Sequence, residues 1–462
     1  MVPTVRGVGA PGTSGSAQGS EKAPPMSHDS RATKRAANRR LRHHRVLRSR
    51  PRHPAPPFPR RGLLALAAAI FVSMSTEFLP GGLLPNIAAT FDRPVTDVGQ
   101  LITVFAGAVI LTAAPLAVLT RRVPRKPLAI VALIGIAAAT GLAAFAPTFE
   151  VLLIARVSGG VAHGLFWSVA AAYAADLVAP SQLGRATAIT AAGGSVAGVL
   201  GVPLGNALGQ AFGWRVAFGT LAAVAVLVVL LVVLLLPAVA PSRALPRTSS
   251  TRNHSTPSAI GGILLVCAII LLVVIGQTTY GTYSVVWLSD VASIPSASIP
   301  AFLFGTGLAA FVAVSGIGRI ADRSPNTALL LGIALAAVLS ALFPLSAAWG
   351  VGPLVIAALL QAMAFAVVPI LLQTRMMRIT PPQQRSTAAA LQTTAFNVAI
   401  GGGAVVGALV VGEWGLEALP WVAALLTGAG LILLLLTSPS RSSDPASDPH
   451  PSSSPMEVPD VP

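Results

Sequence analysis

Between Gly62 and Thr437 the chain is a succession of apolar stretches separated by short polar breaks. Each stretch holds about 20 residues, enough for a helix to cross a hydrocarbon core of ~30 Å with its main-chain polar groups bonded internally. The breaks fall at Asp92–Asp97, Arg121–Lys126, Pro147–Glu150, Asp176–Arg185, Gly213–Arg215, Pro241–Pro257, Asp290–Ser298, Asp322–Asn326, Trp349–Gly352, Arg375–Arg385 and Gly412–Glu417. Eleven breaks predict twelve helices, with several connections too short for a soluble domain. Residues 1–58 and 439–462 have no apolar periodicity and are rich in Pro and Ser, so both are expected to be disordered tails.

Basic residues alternate along this series. The even-numbered breaks hold 13 Lys and Arg, counting Arg319 at a helix end, and the odd-numbered breaks hold only Arg93 and Arg215. The positive-inside rule then places both termini and the even loops in the cytoplasm of a multi-pass cell-membrane protein.

The two halves repeat at an offset of about 200 residues. Arg185-Ala-Thr-Ala opens the fifth helix and Arg385-Ser-Thr-Ala the eleventh; Gly201 matches Gly401, and Trp214 matches Trp414. Leu119-Thr-Arg-Arg-Val-Pro corresponds to Ile320-Ala-Asp-Arg-Ser-Pro. Six helices repeated with the same sidedness are parallel repeats, an architecture that places a substrate path between the halves near the midplane. The expected organisation is two bundles, 59–240 and 258–438, joined by a cytoplasmic linker at 241–257.

Composition narrows the class. The hydrophobic set makes up 54% of the chain and charged residues 10%, against roughly 25% charged in soluble domains. Mean hydropathy is +0.75. A soluble enzyme is excluded, as is a disulfide scaffold, because Cys267 is the sole cysteine. The net charge of +16 is concentrated in residues 1–61, which hold 14 of the 31 basic residues and two of the 15 acids. The basic pI therefore reports the tail and implies no nucleic-acid partner. The run Arg31–Arg52 is expected either to contact anionic lipid headgroups, at about 1 kcal/mol per basic residue, or to serve only as a topology signal; a later start, for example at Met26, would remove part of the tail ahead of it.

Several motifs carry a family resemblance. The first helix reads Ser75-Thr-Glu-Phe-Leu-Pro-Gly-Gly-Leu-Leu-Pro85, and the second break is flanked by Ala117-Val-Leu-Thr-Arg-Arg-Val-Pro-Arg-Lys126. The fourth helix has Arg156-Val-Ser-Gly-Gly-Val-Ala-His-Gly164, the fifth Gly198-Val-Leu-Gly-Val-Pro-Leu-Gly205, and the second half Gly318-Arg-Ile-Ala-Asp-Arg323. In these positions the chain resembles major facilitator superfamily transporters of the twelve-helix drug:proton antiporter branch, in particular sugar and chloramphenicol exporters. The resemblance implies an all-α membrane protein in the major facilitator fold. It also implies that Arg121, Arg122, Arg125, Lys126, Gly201, Pro203, Gly205, Asp322 and Arg323 serve the conformational switch. The family's loop acid is replaced by Arg121 and kept only as Asp322, so a latch is expected at Asp322.

Away from helix ends, the apolar spans hold three ionisable residues, Glu77, Arg156 and His163. A charge in hydrocarbon costs about 3 kcal/mol or more, so such residues tend to face a cavity or a partner. Glu77 stands sixteen residues beyond Arg61, a rise of ~24 Å, near the middle of its helix. Protonation cancels its charge, so a proton and a cationic or polar substrate can compete for it; the alternative is a static partner of Arg156 or of the main chain. Arg156 is expected to pair with Glu77, attract an anionic group, or be held by helix-end carbonyls. His163, about two turns deeper on the same helix, is either a proton relay or a packing residue. Gly201, Gly205, Gly209 and Gly213, with Pro203, form a glycine face on the fifth helix suited to close helix packing.

Gln277, Thr278, Tyr280, Gln361 and Asn397 supply neutral hydrogen-bonding groups in the second half, and Phe166 and Trp167 stacking surfaces in the first. Together they are the candidate substrate cavity for lipophilic drugs or sugars; interhelical hydrogen bonding is the alternative. Nucleotide-binding, hydrolase and metal-binding motifs are absent from the sequence. The expectation is therefore a monomeric secondary transporter, not an enzyme, that exports small molecules in exchange for protons. It needs no cofactor beyond the proton gradient. A proton-coupled importer and a transporter-like sensor remain open.

Overall fold

Helices form where the apolar runs lie and stop where glycine, proline or charge interrupts them. The computed structural model describes residues 58–120, 122–179, 182–238, 257–317, 323–381 and 384–437. Arg121, Asp322, the basic run Arg31–Arg52, most of the linker and both tails lie outside the described residues. Among the described residues, twelve helical segments are long and apolar enough to cross a membrane. In the first half they are α1 (Arg60–Phe91), α2 (Val95–Leu119), α3 (Arg125–Ala144), α4 (Phe149–Asp176), α5 (Leu183–Phe212) and α6 (Trp214–Leu235). In the second half they are α7 (Ile260–Asp290), α8 (Ser296–Gly316), α9 (Pro325–Ala348), α10 (Val351–Ile379), α11 (Thr387–Trp414) and α12 (Leu416–Thr437).

The tightest connections lie at the end opposite Arg60 and Thr437. Gly213 alone joins α5 to α6, with φ of 90°, and Gly415 joins α11 to α12, with φ of 81°. Only glycine reaches such angles without steric cost. Gly213 is therefore a turn residue, not a continuation of the α5 glycine face. That face instead consists of Gly193, Gly201, Gly205 and Gly209, and it packs on α1. A side chain at these positions would strike the Ala67 carbonyl, Ser75, Leu79 and Leu83 respectively.

Two helices are broken at their prolines. In α1 a 3-10 segment, Leu79–Leu83, contains Pro80, Gly81 and Gly82. In α5 the residues Ala197–Gly201 widen into a π turn just before Pro203. Proline has no N–H for the carbonyl four residues earlier, so each break frees acceptors.

Packing repeats between the halves. Helices α1 and α5, α1 and α6, α2 and α4, α3 and α4, and α3 and α6 pack together. The same five pairings recur as α7 with α11, α7 with α12, α8 with α10, α9 with α10, and α9 with α12. The halves meet through α2 against α11 and α5 against α8, one pairing used twice.

Core residues show where the halves join. One buried cluster spans both, drawing Leu83, Leu101, Trp214, Tyr283, Val286 and Val410 together at the end away from Arg60. Toward Arg60 the core divides. Leu66, Leu133, Phe166 and Val232 belong to a cluster of the first half, and Ile270, Ile333, Leu372 and Leu434 to a separate one in the second. The halves are thus closed against each other at one end and packed independently at the other.

The α1–α5 contact predicts a mutational outcome. Gly193 approaches the Ala67 main chain, which cannot yield as a flexible side chain can. Gly193→Val is expected to destabilise the folded state by about 2 kcal/mol through overpacking, read as a lower unfolding temperature in detergent.

Candidate functional site

The break in α1 builds the site. Pro80 lies four residues after Thr76, so the Thr76 carbonyl loses its helical donor. Arg156 of α4 takes that place. Its Nη1 donates to Thr76 O at 2.8 Å and its Nη2 to Glu77 O at 3.1 Å. Its Nε donates to Leu101 O of α2 at 3.1 Å, and the guanidinium lies 4.1 Å over the Phe105 ring. Arg156 is 2% exposed. Its hydrogen bonds run to main-chain carbonyls, so it clamps α1, α2 and α4 together instead of closing on the Glu77 carboxylate.

The Glu77 carboxylate points elsewhere. Its Oε2 is 3.5 Å from His163 Nε2, and both residues are buried. His163 Nδ1 is 2.9 Å from Ser73 Oγ, one turn before Glu77 on α1. The imidazole packs edge-on against Phe105 at 5.1 Å and beside Trp167 at 6.1 Å. Close approach of α4 to α2 holds it there: Gly160 sits on the Phe105 carbonyl and Ala108, and Gly164 on Thr112 and Ala113. Glu77, Arg156 and His163, predicted as a group, thus occupy one site, and Ser73 is a member the sequence reading missed. Its signal was the spacing of four from Glu77, which places both on one helix face.

The second half holds an uncharged counterpart. Gln277 occupies the repeat position of Glu77, 200 residues on. Gln361 Nε2 donates to Gln277 Oε1 at 2.6 Å and to Ser340 Oγ at 3.0 Å. Gln277 Nε2 donates to Thr427 Oγ1 at 3.0 Å and approaches Ser340 Oγ at 3.3 Å. These partners stand on α7, α9, α10 and α12, so the network ties the second half together internally. Ser340 and Thr427 were not singled out from sequence, although Ser340 lies 200 residues beyond the buried Thr140. Gln361→Leu would leave Gln277 Oε1 without that donor, a cost of about 1–2 kcal/mol. Replacing both Gln277 and Gln361 by Leu is expected to recover part of it, as measured by thermal unfolding of the single and double variants.

The other predicted cavity residues are dispersed. Phe166 is fully buried in the first-half core. Trp167 is half-buried, and its Nε1 is buried without a hydrogen-bond partner. Thr278 donates to Val274 O and Ala399 O, Tyr280 stacks with Trp287 and Phe343, and Asn397 donates to Thr393 O of its own helix.

Of the predicted switch residues, Arg125 pairs with Asp176 at the end of α4, and Lys126 Nζ donates to Val233 O near the end of α6 at 2.8 Å. A cation on the last carbonyls of a helix complements its dipole. Arg122 and Arg323 are exposed. Gly201 and Gly205 of α5 pack against Ser75 and Leu79 of α1, and Pro203 is buried after the π turn. Among the described residues no cluster of His, Cys, Asp and Glu is arranged to hold a metal ion.

Comparison with known proteins agrees with this architecture. The chain matches the Major Facilitator Superfamily over residues 66–353 and 317–458. It is 30% identical over 390 residues to a protein of Mannheimia succiniciproducens described as a probable sugar efflux transporter, with 81% of this chain and 93% of that protein covered. Among solved structures, the human organic anion transporter MFSD10 superposes with a TM-score of 0.62 at 19% identity, covering 82% of this chain and all of that one. The peptide transporter POT superposes with a TM-score of 0.66 at 12% identity, over 81% and 93%. The chain belongs to the Major Facilitator Superfamily. It is a multi-pass secondary transporter of small molecules in a lipid bilayer, not an enzyme.

Proposed function

We propose that this transporter exports sugars or similar small molecules from the cytoplasm in exchange for protons, with Glu77 as the proton site. The observation that carries the reading is the placement of Glu77. Its carboxylate is buried at the broken centre of α1 and faces an imidazole, while the hydrogen bonds of the neighbouring Arg156 go to main-chain carbonyls. A carboxylate not held by a permanent cation can gain and lose a proton during a cycle. Sugar as cargo is supported by the described role of the Mannheimia succiniciproducens relative, and lipophilic drugs are the second cargo class.

The same reading places the protein in the cell membrane with both termini cytoplasmic, following the basic loops. The bundles 59–240 and 258–438 then rock about the shared core, joined by the 241–257 linker. Closure at the end away from Arg60 corresponds to an inward-facing state, ready to load cytoplasmic cargo. Trp167, Thr278, Tyr280 and Asn397 border the path, with Gln277, Gln361 and Phe166 supporting it from within the bundles. Arg121, Arg122, Arg125, Lys126, Asp322 and Arg323 govern closure on the cytoplasmic side. The protein acts as a monomer, and its basic tail rests on anionic lipid.

The test uses everted membrane vesicles energised to an acid interior and read with a pH-sensitive dye. Adding L-arabinose or chloramphenicol is expected to release protons from wild-type vesicles. A substrate-triggered proton movement of opposite sign would make the protein an importer. The absence of proton movement with either compound, combined with a growth phenotype on deleting residues 1–58, would favour the sensor reading.

A further inference from the structure

The group that completes the proton site is a serine. Ser73 is fully buried, and its Oγ is 2.9 Å from His163 Nδ1. The opposite ring nitrogen, Nε2, faces Glu77 Oε2 at 3.5 Å. Two positions one turn apart on α1 therefore grip the two nitrogens of a single imidazole from α4. The ring is wedged against Phe105 and Trp167, so each nitrogen keeps its own partner. A neutral imidazole carries one hydrogen, and the partner of one nitrogen decides the role of the other. A serine hydroxyl both donates and accepts. Its neighbour Thr76, by contrast, donates to Val72 O at 2.9 Å.

We propose that Ser73 is a positioning residue for proton coupling, setting the tautomer of His163 to match the protonation state of Glu77. The proposal rests on the reading of Glu77 as the proton site. With Glu77 ionised, Ser73 donates to Nδ1, and Nε2–H points to the carboxylate. On proton uptake, the arriving proton reaches Nδ1 by way of the Ser73 hydroxyl, and the Nε2 hydrogen passes to Glu77 Oε2. The carboxylic acid then donates to the bare Nε2, and Nδ1–H donates to Ser73 Oγ. One proton is added overall, and the imidazole begins and ends neutral.

Electrostatics favours a device of this kind. Arg156 already places a permanent cation at the site, and like charges in a low-dielectric interior repel strongly. Moving a hydrogen across a neutral ring adds no second cation. The other charged residues on these packed helices stand at helix ends: Arg60 and Arg61 on α1, Asp97 on α2, Arg125 and Lys126 on α3, Glu150 and Asp176 on α4, Arg185 on α5, and Arg215 on α6. Ser73 thus links α1 to α4 through a contact that changes direction with protonation.

The full-length protein is labelled with 15N-histidine, placed in lipid nanodiscs and studied by NMR across acidic to alkaline pH. The His163 signal is assigned by its loss in His163→Asn. In wild type it is expected to change from the Nε2–H to the Nδ1–H tautomer as pH falls, without an imidazolium signal. Ser73→Ala is expected to abolish the change and to slow L-arabinose-triggered proton release about tenfold, equivalent to one buried hydrogen bond. Ser73→Thr keeps the hydroxyl and is expected to retain the tautomer change. An unaltered change in Ser73→Ala, or an imidazolium signal in acidified wild type, would overturn the proposal. Glu77→Gln separates the two readings. Loss of the change there, with Ser73→Ala unaffected, removes only the role of Ser73; persistence in Glu77→Gln removes Glu77 as the proton site and Ser73's role with it.

Discussion

Glu77→Gln is expected to abolish substrate-triggered proton release in energised everted vesicles while leaving the protein folded in the membrane. Glutamine preserves the shape of the side chain and removes its ability to ionise. The Arg156 clamp is made to the main chain of Thr76 and Glu77, so it survives the substitution, and unfolding temperature should change little. Substrate exchange across a vesicle membrane without a proton gradient should persist, because it needs no net proton movement. The expected pattern is thus loss of coupling with retention of exchange. Proton release that survives in Glu77→Gln would move the proton site away from α1, and loss of exchange as well would assign Glu77 to cargo binding.

The second large effect is structural. Arg156→Ala would leave the carbonyls of Thr76, Glu77 and Leu101 without their guanidinium donor. The Thr76 carbonyl, whose helical donor is absent at Pro80, would be left unsatisfied at about 1–3 kcal/mol, and the guanidinium bonds to Glu77 O and Leu101 O and the stacking on Phe105 would be lost with it, so the expected loss is about 3 kcal/mol. The variant should reach the membrane in much reduced amount, or unfold several degrees lower in detergent. Arg156→Lys is expected to fall between the two. Its ammonium keeps the charge but is a single point that cannot span three carbonyls on two helices. If Arg156→Lys matched wild type in both yield and thermal unfolding, the forked clamp would be unnecessary. If Arg156→Ala matched it, the clamp would have no structural weight.

These expectations separate the roles of two residues that sequence reading tied together. A glutamate and an arginine in apolar spans invite pairing as a buried ion pair. Proline at position 80 changes that outcome, because it creates main-chain acceptors for the arginine. The cue was legible in the spacing of Thr76 and Pro80, but its use depended on which side chain of which helix lay opposite. The same holds for Gln277 and Gln361. Both lie in apolar spans, and a helix face lined with polar groups suits a cavity as well as it suits a neighbouring helix. Their network with Ser340 and Thr427 runs inside the second half.

Properties set by the covalent order of residues were readable directly. Twelve spans follow from the length of apolar runs, since a membrane-crossing helix satisfies its own main chain. The sequence offset of 200 aligns Glu77 with Gln277 and Gly201 with Gly401. The breaks at Gly213 and Gly415 were also legible, whereas the end of the α5 glycine face at Gly209, its contact with α1, and the grip of Ser73 and Glu77 on His163 came only from tertiary structure. Lipid-facing, cavity-facing and helix-facing surfaces are all largely apolar in a membrane protein, so periodicity marks a face without naming what covers it. Which helix covers it depends on how the twelve segments pack together, and that packing decided the chemistry of the site.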